Sequence, residues 1–366
     1  MLSKVRVGLV GIRNWAIGVH LHQLRSHPGA EVAAICGRDL NRAEQAAVQH
    51  GISRAFSDYR EMIDKGDLEA IIISTPDNTH YPITLAALEK GLHVVCEKPL
   101  AMSVAQAREM RDRAETAGVV HMPFFTFRWI PAFQRMKQLV NDGYIGRCLS
   151  CEFHFLEGIG RQSDYHWRFD PQQSQGVVAD RGSHMFDLAR WLVGDITRVN
   201  AHLVTFQTYP GPDGKPMDAI CDDAWVMLEF AGGATGSVHT SWVTYRAERN
   251  IEQRVVLYGD QGMLEVDNPI AFSASPGTIL RGARYGEQHL KELPVCDDPK
   301  LDAAYHQAML AYAFDVFGRE PVGDRLFIDS ILANQPVSPD FTDGLKAQEV
   351  IEAAIASHES GRWVVI

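Results

Sequence analysis

The sequence has no apolar run near the roughly 18 residues that a membrane span takes, so no membrane partner is expected. Basic residues are in deficit. Thirty-five Lys and Arg face 46 Asp and Glu, a net charge of −11. Such a field repels a phosphate backbone, so nucleic acid is not an expected partner. Cysteine is sparse and scattered: Cys36, Cys96, Cys148, Cys151, Cys221 and Cys296. Arg13 interrupts the first apolar stretch, and no small-residue cleavage site follows it. This combination reads as free thiols in a cytoplasmic protein. Metal-ligand spacing is missing as well. Cys148 and Cys151 form one C-x-x-C pair without a second, and in a strand residues three apart point to opposite faces. No metal is expected. Repeats, heptads and low-complexity tracts are absent.

What remains is an ordinary globular chain. Apolar residues make up 46% and charged residues 22%, which excludes disorder as the main state. A length of 366 residues suggests two domains. In the first third, short apolar runs alternate with helical patterns. The runs are Val5 to Val10, Glu31 to Cys36, Ala70 to Ser74, His93 to Cys96 and Val119 to Phe125. The helical stretches are Ala43 to Gln49, His80 to Lys90 and Ser103 to Ala117. Continuous apolar strands alternating with helices predict a doubly wound parallel sheet over 1–125. Beyond residue 126 the pattern changes. Helices are expected at Pro131–Asn141, Ser183–Leu192 and Thr342–Ser357. Strands are expected at Leu149–Phe155, Arg198–Phe206, Ala224–Phe230, Thr235–Trp242, Gln253–Tyr258, Met263–Val266 and Trp363–Ile366. Consecutive strands joined by glycine-bearing turns predict an α+β domain over 126–366, built on an open, mostly antiparallel sheet.

Four segments carry chemistry. Gly11-Ile12-Arg13-Asn14-Trp15-Ala16 follows the first strand and opens a helix, as a dinucleotide fingerprint does, but Arg13 stands in place of its middle glycine. The alternative is a generic βα turn. The second strand ends in Gly37-Arg38-Asp39. A small residue followed by Arg favours the 2′-phosphate of NADP, and Asp39 leaves NAD open. Thr75-Pro76-Asp77-Asn78-Thr79-His80 and Glu97-Lys98-Pro99 lie at later strand ends, where open α/β sheets bind ligands. Lys98 there either holds a substrate oxygen or pairs with Glu97. Asp180 and His184 are four apart at a helix entry, a spacing that lets a carboxylate orient a general base. The alternative is a capped helix start with His184 as a packed polar residue. Arg128, Tyr165, His166, Trp167 and Arg168 are pocket candidates. The stretch Ser163 to Pro171 offers aromatic faces and polar tips suited to a sugar. Trp15 either borders a nicotinamide or closes the first turn. His20 and His22 read as surface or packing residues of the first helix.

Taken together these segments resemble the Gfo/Idh/MocA family, named for glucose–fructose oxidoreductase and inositol dehydrogenase. Gly143-Tyr144-Ile145-Gly146, Tyr258-Gly259-Asp260-Gln261-Gly262 and Asp343-Gly344-Leu345 add to the likeness. The resemblance implies a Rossmann domain followed by an α+β domain. It implies a nicotinamide cofactor, NADP or NAD, and oxidation or reduction at a sugar, inositol or polyol carbon. It assigns Lys98, Asp180 and His184 to catalysis. Gly11, Ile12, Arg13, Asn14, Trp15, Ala16, Gly37, Arg38, Thr75, Pro76, Asn78, His80, Glu97 and Lys98 are assigned to the cofactor. Lys98, Arg128, Tyr165, Trp167, Asp180 and His184 are assigned to the substrate. It further implies a homodimer or homotetramer formed through the C-terminal sheet. A non-catalytic sensor, an NAD-dependent glycosidase and a redox enzyme for a non-sugar substrate are the other readings. Arg13 and the shortened glycine run at Ser174-Gln175-Gly176 depart from the family pattern.

Overall fold

A computed structural model describes residues 4–161, 164–245, 247, 251–270, 278–295 and 317–366, without the side chains of positions 269 and 270. Ser163 and Cys296 lie outside these residues. The described residues of Met1–Phe125 and Phe314–Leu345 form one compact unit, and those of Thr126–Ala313 and Lys346–Ile366 form another. The stretch around Gly323–Ala333, which sequence reading placed with the second region, thus packs in the first.

The first unit holds a six-stranded sheet of β1 (Val5–Val10), β2 (Ala30–Cys36), β3 (Arg54–Phe56), β4 (Ala70–Ile73), β5 (His93–Cys96) and β6 (His121–Pro123). Their order is β3-β2-β1-β4-β5-β6, and every pairing is parallel. All four residues of β4 are buried, which is why this strand reads as an unbroken apolar run. The helices are stopped and started by local chemistry. The side chains of Asp39, Asp58 and Ser103 each accept a backbone N–H as N-caps. Gly118 ends Val104–Ala117 in the left-handed region at φ 65°. Strand β3 and the helix Tyr59–Lys65 go beyond the five strands and four helices expected from sequence. The first helix begins as a π-helix, Ala16–Leu21, and continues as α-helix over His22–Ser26.

Among the described residues, the second unit is built on nine strands: β7 (Cys148–Glu157), β8 (Ile196–Val204), β9 (Asp223–Phe230), β10 (Thr235–Ser241), β11 (Ile251–Gly259), β12 (Gly262–Ile270), β13 (Ile279–Arg284), β14 (Lys291–Glu292) and β15 (Val364–Val365). Their order is β14-β13-β12-β11-β7-β10-β9-β8-β15. All pairings are antiparallel except β7 with β10. Alternation along the strands sends Phe153, Phe155, Val226, Leu228, Val255 and Leu257 into one core, each fully buried side chain contributing about 1.5–3 kcal/mol. The helix Gly182–Val193 covers that core with Met185, Phe186, Leu188, Ala189 and Leu192.

Strand β7 also corrects the expectation for the cysteines. Its pairing with β11 passes over Leu149, a bulge between Tyr258 and Gly259. One extra residue resets the alternation, so Cys148 packs against the same core as Cys151. A hydrogen bond between the two thiols pushes the Cys148 pKa down and the Cys151 pKa up.

Candidate active site

In the first unit, β1 and β4 are neighbours whose crossovers leave in opposite directions, which is where an open α/β sheet forms a crevice at its carboxyl ends. The turns after β1 and β4 approach so closely that only glycine fits at position 11. Gly11 has φ +125°, and a Cβ there would lie 2.2 Å from the carbonyl oxygen of Ser74. Gly37 at the end of β2 faces Ile12, which a Cβ would meet at 2.7 Å. Arg13, Asn14 and Trp15 are exposed on the first turn, and Arg38 and Asp39 are exposed after β2. Asp39 uses its carboxylate to cap the helix Leu40–Gln49, accepting from the N–H of Arg42 at 3.2 Å. The exposed Arg13 and Arg38, beside the close-packed glycines Gly11 and Gly37, fit a dinucleotide.

The turn after β4 is held from within. The Thr79 hydroxyl donates to the Thr75 hydroxyl at 2.7 Å. The buried ring of His80 bridges the carbonyls of Pro99, at 2.8 Å, and Thr75, at 3.0 Å. Burial holds the His80 pKa below its usual value. The neutral ring has one N–H to donate, so it hydrogen-bonds one of these carbonyls while packing between the chain ends that follow β4 and β5. The Lys98–Pro99 bond is cis. Lys98 is itself largely buried, and its backbone N–H donates to Glu97 Oε2 at 3.2 Å. The other carboxylate oxygen of Glu97 accepts from the Trp15 indole at 2.5 Å and lies 3.1 Å from His20 Nε2. Burial works against the ionised form of Glu97, but His20, Lys98 and Trp15 outweigh it and pull its pKa down. The acid expected to serve the cofactor thus faces inward.

In the second unit, Asp180 ends the short helix Val177–Asp180, and His184 lies in the first turn of Gly182–Val193. Both are buried. The His184 ring stacks on Phe127 with centroids 4.1 Å apart and planes 13° apart. Asp180 is paired with two guanidiniums, Arg168 at 3.2 Å and Arg181 at 3.4 Å. Arg181 also reaches Glu157 at 2.5 Å. Burial alone would lower the Arg181 pKa, but Asp180 and Glu157 raise it. Arg168 is placed by its neighbours: Phe169 stacks on Tyr209 at 4.2 Å and meets Trp242 edge-on at 5.2 Å. Trp167 lies under the Arg168 guanidinium at 4.3 Å. The Tyr165 hydroxyl accepts from Gln173 at 2.8 Å at the exposed edge of this segment. Arg128 is engaged elsewhere, forming a buried two-pronged pair with Asp187, three residues beyond His184.

Within each unit the structure thus gathers most of the expected residues, and it adds some that spacing did not show. Glu157 and Arg181 flank Asp180, and Asp187 holds Arg128. Asp324 pairs with His20, making that histidine part of a buried ionic chain. The separation of 304 residues between them left no local signal. No group of three or more His, Cys, Asp or Glu able to hold a metal occurs among the described residues. No helix among them is long and apolar enough to cross a membrane.

Comparison with known proteins agrees with this layout. Residues 5–125 match the family described as an oxidoreductase family with an NAD-binding Rossmann fold, and residues 133–265 match a GFO/IDH/MocA C-terminal domain. The levoglucosan dehydrogenase of Pseudarthrobacter phenanthrenivorans is 30% identical over 88% of this chain and 86% of its own length. The myo-inositol 2-dehydrogenase of Thermotoga maritima is 28% identical over 77% of this chain and 81% of its own. A solved levoglucosan dehydrogenase in complex with NADH and levoglucosan superposes with a TM-score of 0.84 at 27% identity, covering 100% of both chains.

Proposed function

Because the chain belongs to the Gfo/Idh/MocA family of NAD-dependent sugar and polyol dehydrogenases and is an oxidoreductase, we propose that it oxidises or reduces a hydroxyl-bearing carbon of a sugar, inositol or related polyol. The observation that carries this reading is the buried His184, one helical turn in sequence after a buried Asp180 whose charge two guanidiniums already share. When bound, nicotinamide supplies the hydride acceptor or donor. The turns at Gly11–Ala16, Gly37–Arg38 and Thr75–His80, with Glu97 and Lys98, would hold the dinucleotide. NAD is the form the first-strand fingerprint family binds, and the exposed Arg38 beside Gly37 extends acceptance to NADP.

His184 takes the hydroxyl proton at an imidazole nitrogen in the oxidative direction, a role that typically contributes about 10²–10⁴-fold. Stacking on Phe127 fixes the plane of its ring. Asp180 lends electrostatic support rather than basicity, because its carboxylate is already engaged by Arg168 and Arg181. The Lys98 ammonium stabilises negative charge developing on the substrate oxygen. Trp167 and Tyr165 offer the aromatic and hydroxyl contacts a sugar takes, and Arg128 shapes the site through Asp187. A cytoplasmic homodimer or homotetramer completes the proposal. The exposed Trp225 and Met227 on β9 support assembly through the outer face of the second sheet.

The test is nicotinamide absorbance across aldoses, inositols and sugar acids, each with NAD and NADP. Turnover with one class, lost in Lys98→Ala, is the expected result. Silence across the panel with dinucleotide still bound would overturn it, and sugar release without net reduction would mark a glycosidase instead.

A further inference from the structure

One buried chain of polar groups in the first unit runs inward from the cofactor turn, and its inner members, His20 and Asp324, have no part in the proposed reaction. Trp15 Nε1 donates to Glu97 Oε1 at 2.5 Å, and His20 Nε2 meets the same oxygen at 3.1 Å. His20 Nδ1 meets Asp324 Oδ2 at 2.8 Å. His20 and Asp324 are wholly buried. The Phe124 ring packs on the imidazole at 4.3 Å, and Gln23 Oε1 accepts from the Asp324 backbone N–H at 2.9 Å. Four residues from three distant parts of the chain therefore end at the indole of one half-exposed side chain. That side chain sits in the turn where Arg13 has replaced the glycine that normally sets the backbone. Burying charged groups in a row is costly unless each is paired. Here His20 lies between the carboxylates of Glu97 and Asp324, although Asp324 Oδ1 is buried without a hydrogen-bond partner, and the member that reaches the surface is Trp15, 39% exposed.

We propose that Trp15 is a positioning residue for the dinucleotide-binding turn, held through Glu97 by the buried His20–Asp324 pair. A tethered indole does for this turn what the missing glycine cannot: it restricts the backbone of Arg13 and Asn14 to one conformation, so that binding does not have to order it. The inference rests on the reading of this unit as dinucleotide-binding.

Two readouts test it, neither of them turnover. The first is the indole Nε1–H resonance of Trp15, assigned by its loss in Trp15→Phe. A short bond to a carboxylate places this proton well downfield, and His20→Gln is expected to move it back towards the position of a hydrated indole. The second is NADH affinity by titration. Trp15→Phe and His20→Gln should each weaken it about tenfold, the scale of one charge-assisted hydrogen bond. The double variant should be no weaker than Trp15→Phe alone, because His20 acts through the indole. Asp324→Asn, a conservative change on a different helix, replaces His20→Gln if that variant does not fold and should give the same non-additivity. Unchanged affinity in Trp15→Phe overturns the proposal. So do additive losses in the double variant, or an indole resonance indifferent to His20 and Asp324. Wild-type protein that binds neither NADH nor NADPH overturns the dinucleotide reading itself, a result distinct from all of these.

Discussion

The two units handle buried charge in different ways. In the first, an imidazole lies between the carboxylates of Glu97 and Asp324. In the second, guanidiniums lie between carboxylates: Arg181 between Asp180 and Glu157, and Arg128 against Asp187. Arginine keeps its charge at any pH a protein survives, and its planar fork suits two-pronged pairing. Histidine titrates. The second unit is therefore wired for a fixed field around Asp180 and His184, whereas the first contains a link that pH can undo.

Removing the proposed base probes the fixed field most strongly. His184→Ala is expected to cut turnover about 10²–10⁴-fold while dinucleotide affinity stays as it was. Full turnover in that variant would remove His184 from the mechanism and leave the Arg-held cluster without a base. Next in size is the loss of one partner of a buried fork. Asp187→Ala should destabilise the protein by about 3–5 kcal/mol in denaturant unfolding, since it strands the Arg128 charge. A loss below about 1 kcal/mol, the value of an exposed pair, would mean that the pair is solvated in solution.

The imidazole link makes a contrasting prediction. Desolvation lowers the affinity of His20 for its proton, but Asp324 and Glu97 outweigh it and lift the pKa from 6.5 to about 10. A folded-state pKa raised above the unfolded one gives stability that is complete below pH 6.5 and lost as pH rises through about 10. Unfolding free energy should therefore decline from pH 7 to 10 in the wild type and follow a flatter course in His20→Gln. Parallel curves would erase the contrast between the units. The smallest effect is expected at the edge of the first unit. Arg38→Ala should weaken NADP by about tenfold and leave NAD unchanged, the loss of one charge-assisted contact. Equal losses for both would show that Arg38 does not read the 2′-phosphate.

How well the sequence foretold each region follows from the same physics. Strands buried on both faces had to be apolar runs, so β1, β2, β4 and β5 could be read directly, and Pro131–Asn141 began and ended as its proline and glycine signals indicated. Strand β3 could not, because its three residues are all half-buried and lie at a sheet edge. The helix Tyr59–Lys65 buries only Met62 and Ile63, too little for a periodic signal. At the site, the spacing of Asp180 and His184 was visible, but the partners of Asp180 were not. Arg168 reaches it across 12 residues, from a short 3-10 turn to the end of the helix Val177–Asp180, a spacing no single element sets. The bulge at Leu149, which turned the cysteine pair to one side, depends on register with a strand a hundred residues later and leaves no mark in the local pattern.

The π-helix Ala16–Leu21 carries a last consequence, one of chain length. A π-turn contains about one residue more than the 3.6 of an α-turn, so this segment stores slack. Gly18, with nothing within 4 Å of where a Cβ would be, is the residue that could be subtracted. Its deletion would let the segment rewind as ordinary α-helix and leave His22–Ser26 and β2 where they are, but it would turn His20 out of line with Glu97. Homologues that are one residue shorter here should therefore keep the fold and lack the tether.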